Sequence, residues 1–298
     1  MVSFNQDYTD TIPVKEKDIH VFSIDGENID SKTVASFGEE WTKFNHFTDA
    51  EITNAGDQYF DIIPDKYITD KYILDVGCGT GRWTKYLVKK AKFVESIDPS
   101  AAVYTAANFL SDCPNVRISK ASVDNIPFAD ESFDFVFSLG VLHHIPDTAR
   151  AMKDCVKKVK KGGHFMVYLY YSLDNRGLFF KFIFALSNVF RVIISHLPTG
   201  LKKTVCDLIA VCVYMPFVGL TKLFNAIGLR KATKYIPLSY YADKSFNIIK
   251  NDALDRFGTP LEQRFSKKEI QLMMEQSGLS NIVFSNNEPY WHAVGQKI

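Results

Sequence analysis

One stretch constrains this chain more than any other: Ile73-Leu-Asp-Val-Gly-Cys-Gly-Thr-Gly-Arg82. The apolar run Tyr72–Val76 has the length of a strand, and it meets Gly77, Gly79 and Gly81 before a helical pattern begins. Glycines there let the backbone turn tightly and let a ligand come close to main-chain N–H groups. Strand, glycine turn and helix make a βα unit, and the rhythm repeats. Phe93–Ile97 ends at Asp98, with Pro99 at the favoured first position of a helix. Val116–Lys120 and Phe133–Leu139 are further strands, the latter apolar enough for a buried parallel position. Residues 146–159 read as a helix broken at Lys161-Gly-Gly, and 164–171 as a fifth strand. Alternation of this kind predicts a parallel sheet with helices on both faces. Near the end, Ser266-x-x-Glu269 is a capping box closed by Gly278, and 282–285 and 292–296 read as a last pair of strands.

The 298 residues can bury a full-sized core, as one large domain or two small ones. Hydrophobic residues at 46% and charged residues at 23% exclude wholesale disorder. Lys+Arg 35 against Asp+Glu 34 argues against a polyanion-coating protein. The cysteines at 78, 113, 155, 206 and 212 have no C-x-x-C spacing, so no disulfide framework or metal site is expected, and a reducing cytoplasm fits. The polar, acidic start shows no signal peptide. Residues 1–35 read as an extended or partly disordered lead-in. Phe37, Trp41 and Phe44 then share one face of a helix, either packed on the core or capping a ligand.

The glycine loop is not a dinucleotide fingerprint, which would need glycine where Arg82 stands. The phosphate-binding G-x-x-x-x-G-K-[ST] pattern is also absent. Asp75 at the strand end suits a cationic ligand better than a pyrophosphate. Asp98, ending the next strand, can accept hydrogen bonds from a ribose diol. Ser122-Val-Asp-Asn-Ile-Pro-Phe128 follows the third strand, at an edge where a side chain and a backbone N–H can read adenine.

Together these motifs resemble the class I S-adenosylmethionine-dependent methyltransferases, in their small-molecule, type 11-like branch. The pattern is D-x-G-C-G-x-G at Asp75–Gly81, the acidic strand end at Asp98, and the P-F segment with Asp130–Asp134. It continues with the V-L-H-H turn at Val141–His144 and the K-x-G-G element placed at Lys161–Gly163, covering about residues 70–171. The resemblance implies a doubly wound α/β fold: a mostly parallel seven-stranded sheet with an antiparallel last strand, and a helical hydrophobic insertion after the fifth strand. It implies S-adenosylmethionine as cofactor and S-adenosylhomocysteine as product. Asp75, the glycine loop with Gly77, Cys78, Gly79 and Arg82, and Ser138 and Leu139 would surround the methionine end. Asp98 and Pro99 would meet the ribose, and Ser122, Val123 and Asp124 the adenine. Trp41 and Phe44 would be the aromatic cap. Ser122 departs from the family, which often has Asp there.

Methyl transfer is an in-line displacement, and a base is needed only where the acceptor must lose a proton. His143 and His144 follow the fourth strand, at the edge where open α/β sheets bind ligands, so either can be that base. Tyr170, Tyr171, Tyr240, Tyr241 and Arg264 are further pocket candidates.

Residues 172–250 differ from the rest. Eleven Lys/Arg against three Asp give this stretch +8, leaving −7 elsewhere. Two apolar helical stretches, 178–197 and 205–229, lack the roughly 18 uncharged residues of a spanning helix. A lid over the substrate pocket and an interfacial module on an anionic membrane are both compatible with it. The expected organisation is an extension with an aromatic cap (1–64), an α/β core (65–171 and 251–298) and the basic insertion (172–250). The expected function is methyl transfer to a small, hydrophobic acceptor by a cytoplasmic or peripheral-membrane enzyme. Nucleic acid is not expected as a partner, since no N-P-P-Y-type motif follows the fourth strand. Two alternatives are a nucleic-acid methyltransferase and a non-catalytic S-adenosylmethionine-binding protein.

Overall fold

The computed structural model describes residues 1–24, 26–43, 47–174 and 177–298. The chain divides into two compact units, Met1–Asn175 with Leu261–Ile298, and Arg176–Pro260.

The first unit is built on a mixed sheet of nine strands. In chain order these are β1 Asp10–Val14, β2 Lys17–Val21, β3 Tyr72–Val76, β4 Phe93–Ile97, β5 Val116–Lys120, β6 Phe133–Leu139, β7 Val159–Tyr168, β8 Leu279–Phe284 and β9 His292–Lys297. Their spatial order is β1-β2-β5-β4-β3-β6-β7-β9-β8. From β2 to β7 neighbours are parallel, while β9 lies antiparallel between β7 and β8. The central strands are apolar because both faces are covered. Leu74, Val136 and Phe165 enter one core cluster, and Ile73, Phe135 and Phe137 enter the other. The order in which strands are added reverses at β3: β4 and β5 follow on one side of it, β6 and β7 on the other. That switch point opens a crevice at the carboxyl ends of the strands.

The helices of this unit are α1 Ser31–Lys43, α2 Asp49–Tyr59, α3 Arg82–Leu87, α4 Ala102–Phe109, α5 Thr148–Lys157 and, after the second unit, α10 Lys267–Gln276. The Ser266–Glu269 capping box is present at the start of α10.

Several expectations need correction. The sheet has nine strands, not seven, because the lead-in folds into a hairpin, β1–β2, whose second strand pairs parallel with β5. Residues 1–64 are therefore not a separate extension. The sequence gives weak warning of this: the strands are short and mostly polar. Ile19 is fully buried, and Lys17 donates from Nζ to the Cys113 and Val116 carbonyls. Pro99 does not open α4, which begins at Ala102. An Asp98–Ser100 turn comes between them, with Ser100 N and Oγ donating to Asp98 Oδ1. The 146–159 helix is shorter, capped by Asp147, and β7 already starts at Val159 with an irregular register against β6 before Gly162 and Gly163.

The second unit begins at Arg176 and ends at Pro260, ten residues later than the predicted end, because α9 Phe246–Gly258 belongs to it. Its other helices are α6 Leu178–Ser195, α7 Thr199–Ile209 and α8 Met215–Ala226. Its small core holds Ile194, Cys206, Tyr214, Val218, Ile249 and Phe257, and Tyr214 donates to Asp252 at 2.9 Å. A π-helical turn, Ala210–Tyr214, joins α7 to α8. Gly200–Ala226 is therefore one helix of 27 residues with mean hydropathy 1.8 in its most apolar window. The predicted stretches were each too short to cross a bilayer, whereas this continuous helix is long and apolar enough. Pro216 follows directly on the π-helical turn, where the regular i to i−4 hydrogen-bond ladder is already interrupted.

Candidate functional site

The glycine loop leaves β3 and enters α3 through Gly77, Gly79 and Gly81, all at positive φ. Two of these positions carry the argument. A Cβ on Gly77 would stand 2.5 Å from the Val141 methyls, so the loop and the turn after β6 are in contact. A Cβ on Gly79 would meet only the Trp41 indole, with Nε1 at 3.8 Å. The side of Gly79 that an ordinary residue would fill is thus open and bounded by Trp41 of α1. Arg82 stacks its guanidinium on Trp83 at 4.4 Å and stands 5.6 Å from the Trp41 ring, so α1 and α3 share this wall. Phe44, the other predicted cap residue, lies outside the described residues.

Asp75 is 1% exposed and accepts from Thr84 Oγ1 of α3 at 2.6 Å. Its carboxylate therefore ties α3 to the strand instead of lying open at the loop. Burial, with the Asp98 charge adding to it and the Thr84 bond opposing, pushes its pKa up to about 7. The ordinary value is about 3.9, so between the two the native state keeps a proton that the unfolded chain releases. Stability falls as pH rises through that window. We expect Asp75→Asn to remove this slope, so thermal melts from pH 4 to 8 should show the variant gaining on the parent chain as pH rises. Parallel profiles would contradict the buried-acid assignment. Cys78 is also buried, which raises its thiol pKa and keeps it protonated. Ser138 is closed off as well: its hydroxyl donates to the Val76 carbonyl, pinning β6 to β3, and Leu139 caps the strand end in the core.

At the end of β4, Asp98 accepts from Gly79 N at 3.0 Å and from Ser100, which holds the carboxylate beside the loop. At the neighbouring edge Val123 is buried, and Ser122 Oγ is buried with no partner among the described residues. Asp124 Oδ2 accepts from Asn28 N at 2.6 Å, and Asn28 also exchanges side-chain hydrogen bonds with the Asp147 backbone. The segment between β2 and α1 therefore crosses this edge as a strap. Asn28 was missed from sequence because its partners lie about a hundred residues away.

A second cluster, which holds the two predicted base candidates, is built by the turn after β6, the end of β7, and the chain returning at Leu261. Gln263 N donates to the His143 carbonyl, and Phe265 N to that of Tyr170. His144 Nδ1 donates to the Leu261 carbonyl at 2.7 Å, and its ring meets Phe37. His143 is fully buried and stacked on Tyr170 with centroids 3.9 Å apart, and neither ring nitrogen has a partner among the described residues. Burial first, then His144 and the Arg264 cation, hold its pKa well below the ordinary histidine range, so the ring is neutral. Arg264 stands 5.2 Å from the Tyr170 ring and pairs with Glu262 at 2.7 Å. Glu262 was not singled out from sequence, where a lone Glu carries no signal. Tyr240 and Tyr241 lie in the other unit.

These residues fit an adenosyl sulfonium cofactor on three observations: the open cradle at Gly79, the fixed carboxylate of Asp98, and the unpartnered Ser122 hydroxyl at the adenine edge.

Comparison with known proteins agrees with that chemistry. Residues 74–167 match a family model described as "Methyltransferase domain". Among curated relatives, a tRNA U34 carboxymethyltransferase from Nautilia profundicola is 32% identical over 105 residues, 34% of this chain and 35% of that protein. A ubiquinone biosynthesis O-methyltransferase from Coxiella burnetii is 29% identical over 108 residues, 36% of this chain and 44% of that protein. The match thus spans well under half the length of either relative. Among solved structures, the YcgJ protein from Bacillus subtilis overlays with TM-score 0.46 at 16% identity, covering 76% of this chain and 69% of that one. The tRNA-modifying relative corrects the expectation that nucleic acid is not a partner. The missing N-P-P-Y motif does not exclude RNA, since a relative named for tRNA modification matches this chain over 105 residues.

Proposed function

We propose, from the match of residues 74–167 to a methyltransferase domain and the cofactor-fitting residues above, that the chain is an S-adenosylmethionine-dependent enzyme that transfers a methyl group to a small acceptor with a hydrophobic body. Asp98 would hold the ribose, and Ser122 with Val123 the adenine. The glycine loop and Trp41 would flank the methionine end. When bound, the cofactor supplies a methyl group on a sulfonium, open to in-line displacement. His143 is neutral and can take a proton from the acceptor, and the rings of Tyr170 and His144 pack against it.

The hydrophobic acceptor rests on one observation, the surface of the second unit. Leu178 (85%), Phe182 (70%), Ile193 (61%) and Ile227 (58%) are exposed, as are Leu186 and Val189. Scattered apolar residues need no explanation, but five of these on the single helix α6 mark an interaction surface. With a charge of +8 over 172–250, that surface suits a lipid interface with anionic headgroups, where a lipophilic acceptor would be met. We expect the protein to co-sediment with anionic liposomes at low salt and to be partly retained at high salt through its apolar face. Absence from both anionic and neutral vesicles would remove this reading.

A second reading has its own support. The same positive charge attracts a polyanion, and one relative acts on tRNA. A filter-binding titration with bulk tRNA across salt concentrations tests it. Affinity falling linearly in log–log form with salt is the result expected of phosphate contacts.

A further inference from the structure

At this end of the site, Glu262 and His143 carry buried polar atoms with no partner among the described residues. Glu262 has a side chain only 2% exposed. Its Oε1 takes both bonds from Arg264, while Oε2 has no partner among the described residues. The two ring nitrogens of His143 are the others. Leaving a buried carboxylate oxygen without a donor costs free energy, so such an atom calls for a ligand that supplies one. Sequence places Glu262 and His143 119 positions apart. The backbone bond from Gln263 N to the His143 carbonyl sets their two segments side by side, and Arg264, paired with Glu262, is near enough for its charge to act on His143.

The chemistry of the set restricts the ligand. Glu262 and Arg264 already cancel each other's charge, and His143 is neutral. A cation brought here would face the Arg264 guanidinium, and an anion would face Glu262, so a neutral head group is favoured. It must donate a hydrogen bond to Glu262 Oε2, and a hydroxyl does so. The rings of His143, Tyr170 and Phe37 make the walls aromatic, which favours a flat body.

We propose that Glu262 Oε2, with His143, forms the acceptor-binding subsite and takes a neutral phenolic hydroxyl compound. This rests on the methyl-transfer reading above and names its substrate class. The phenolic O–H gives its proton to a His143 ring nitrogen while its oxygen forms the new bond to the methyl carbon. The carbon–sulfur bond breaks, the sulfonium becomes a thioether, and the proton stays on the imidazole until it is lost to water. A second hydroxyl, or the same one before transfer, donates to Glu262.

The test uses the full chain saturated with S-adenosylhomocysteine, whose own binding is measured first by calorimetry. 4-Methylphenol and 4-methylanisole are then titrated, the latter having the same body but no hydrogen to donate. The phenol is expected to bind at least about tenfold more tightly, the size of a hydrogen bond to a charged group. In Glu262→Gln the amide oxygen turns to Arg264 and presents NH2 to the site, so the preference is expected to collapse to within about twofold. Unchanged S-adenosylhomocysteine affinity in the variant certifies its fold. Equal binding of the two probes by the parent chain, or a preference that survives in Glu262→Gln, overturns the subsite. Should S-adenosylhomocysteine itself fail to bind, the cofactor reading falls, and the subsite with it. Cofactor binding without any phenol binding overturns the subsite alone.

Discussion

Asp98→Ala is expected to weaken S-adenosylhomocysteine binding on the order of 100-fold, two charge-assisted hydrogen bonds at about 1.5 kcal/mol each. The carboxylate is 9% exposed and anchored by Gly79 N and Ser100, so it stands ready without reorganising. Its loss has a second effect. The Gly79 N–H, part of the cradle, loses its acceptor and the loop loosens. Calorimetry on the parent chain, Asp98→Ala and Asp98→Asn separates the two effects. Asn can still accept from Gly79, so it should recover the loop but not the charge, and fall between them. If Asp98→Ala binds within about threefold of the parent, Asp98 is not the ribose contact.

His143→Phe is expected to do two opposite things. Turnover should fall by at least about 100-fold, the usual contribution of a positioned base. The fold should become more stable, because a buried ring with two unpartnered nitrogens is replaced by one with none. The phenyl ring keeps the stack on Tyr170. A gain of about 1–3 kcal/mol would raise the melting temperature by a few degrees in a chain of this size. A structural histidine would give the reverse pattern, with lower stability and little change in rate. The pH profile adds a check. Burial, with His144 and Arg264, holds the His143 pKa well below its ordinary value. The base is therefore already deprotonated, and turnover should stay flat between pH 8 and 6. A rate that declines through the ordinary histidine range would point to a different base.

The cofactor half was legible in the sequence because its signals are local. The limits of β3, β4, β5 and β6 agree with the sequence reading residue for residue; β3 and β6 are nearly continuous apolar runs ended by Gly77 and Gly140, as buried parallel strands require. The capping box of α10 needed only four residues in a row. The acceptor half was less legible. His143 and His144 stood out as histidines at a sheet edge, yet nothing in their neighbourhood separated them. The structure does, giving His144 a carbonyl partner at Leu261 and leaving both nitrogens of His143 without one.

The sequence by itself determined a class of fold and a cofactor crevice, because hydrophobic period and turn chemistry act over a few residues and survive any context. Tertiary structure decided what depends on distant chain segments meeting. It turned a polar lead-in into the edge hairpin of the sheet, since β1–β2 gains its pairing only from β5. It joined two apolar stretches into one 27-residue helix. It closed Asp75 beneath Thr84 and buried Glu262 Oε2 without a partner among the described residues. Desolvation creates those last two properties. It belongs to no residue type and comes only from what the folded chain packs around each group.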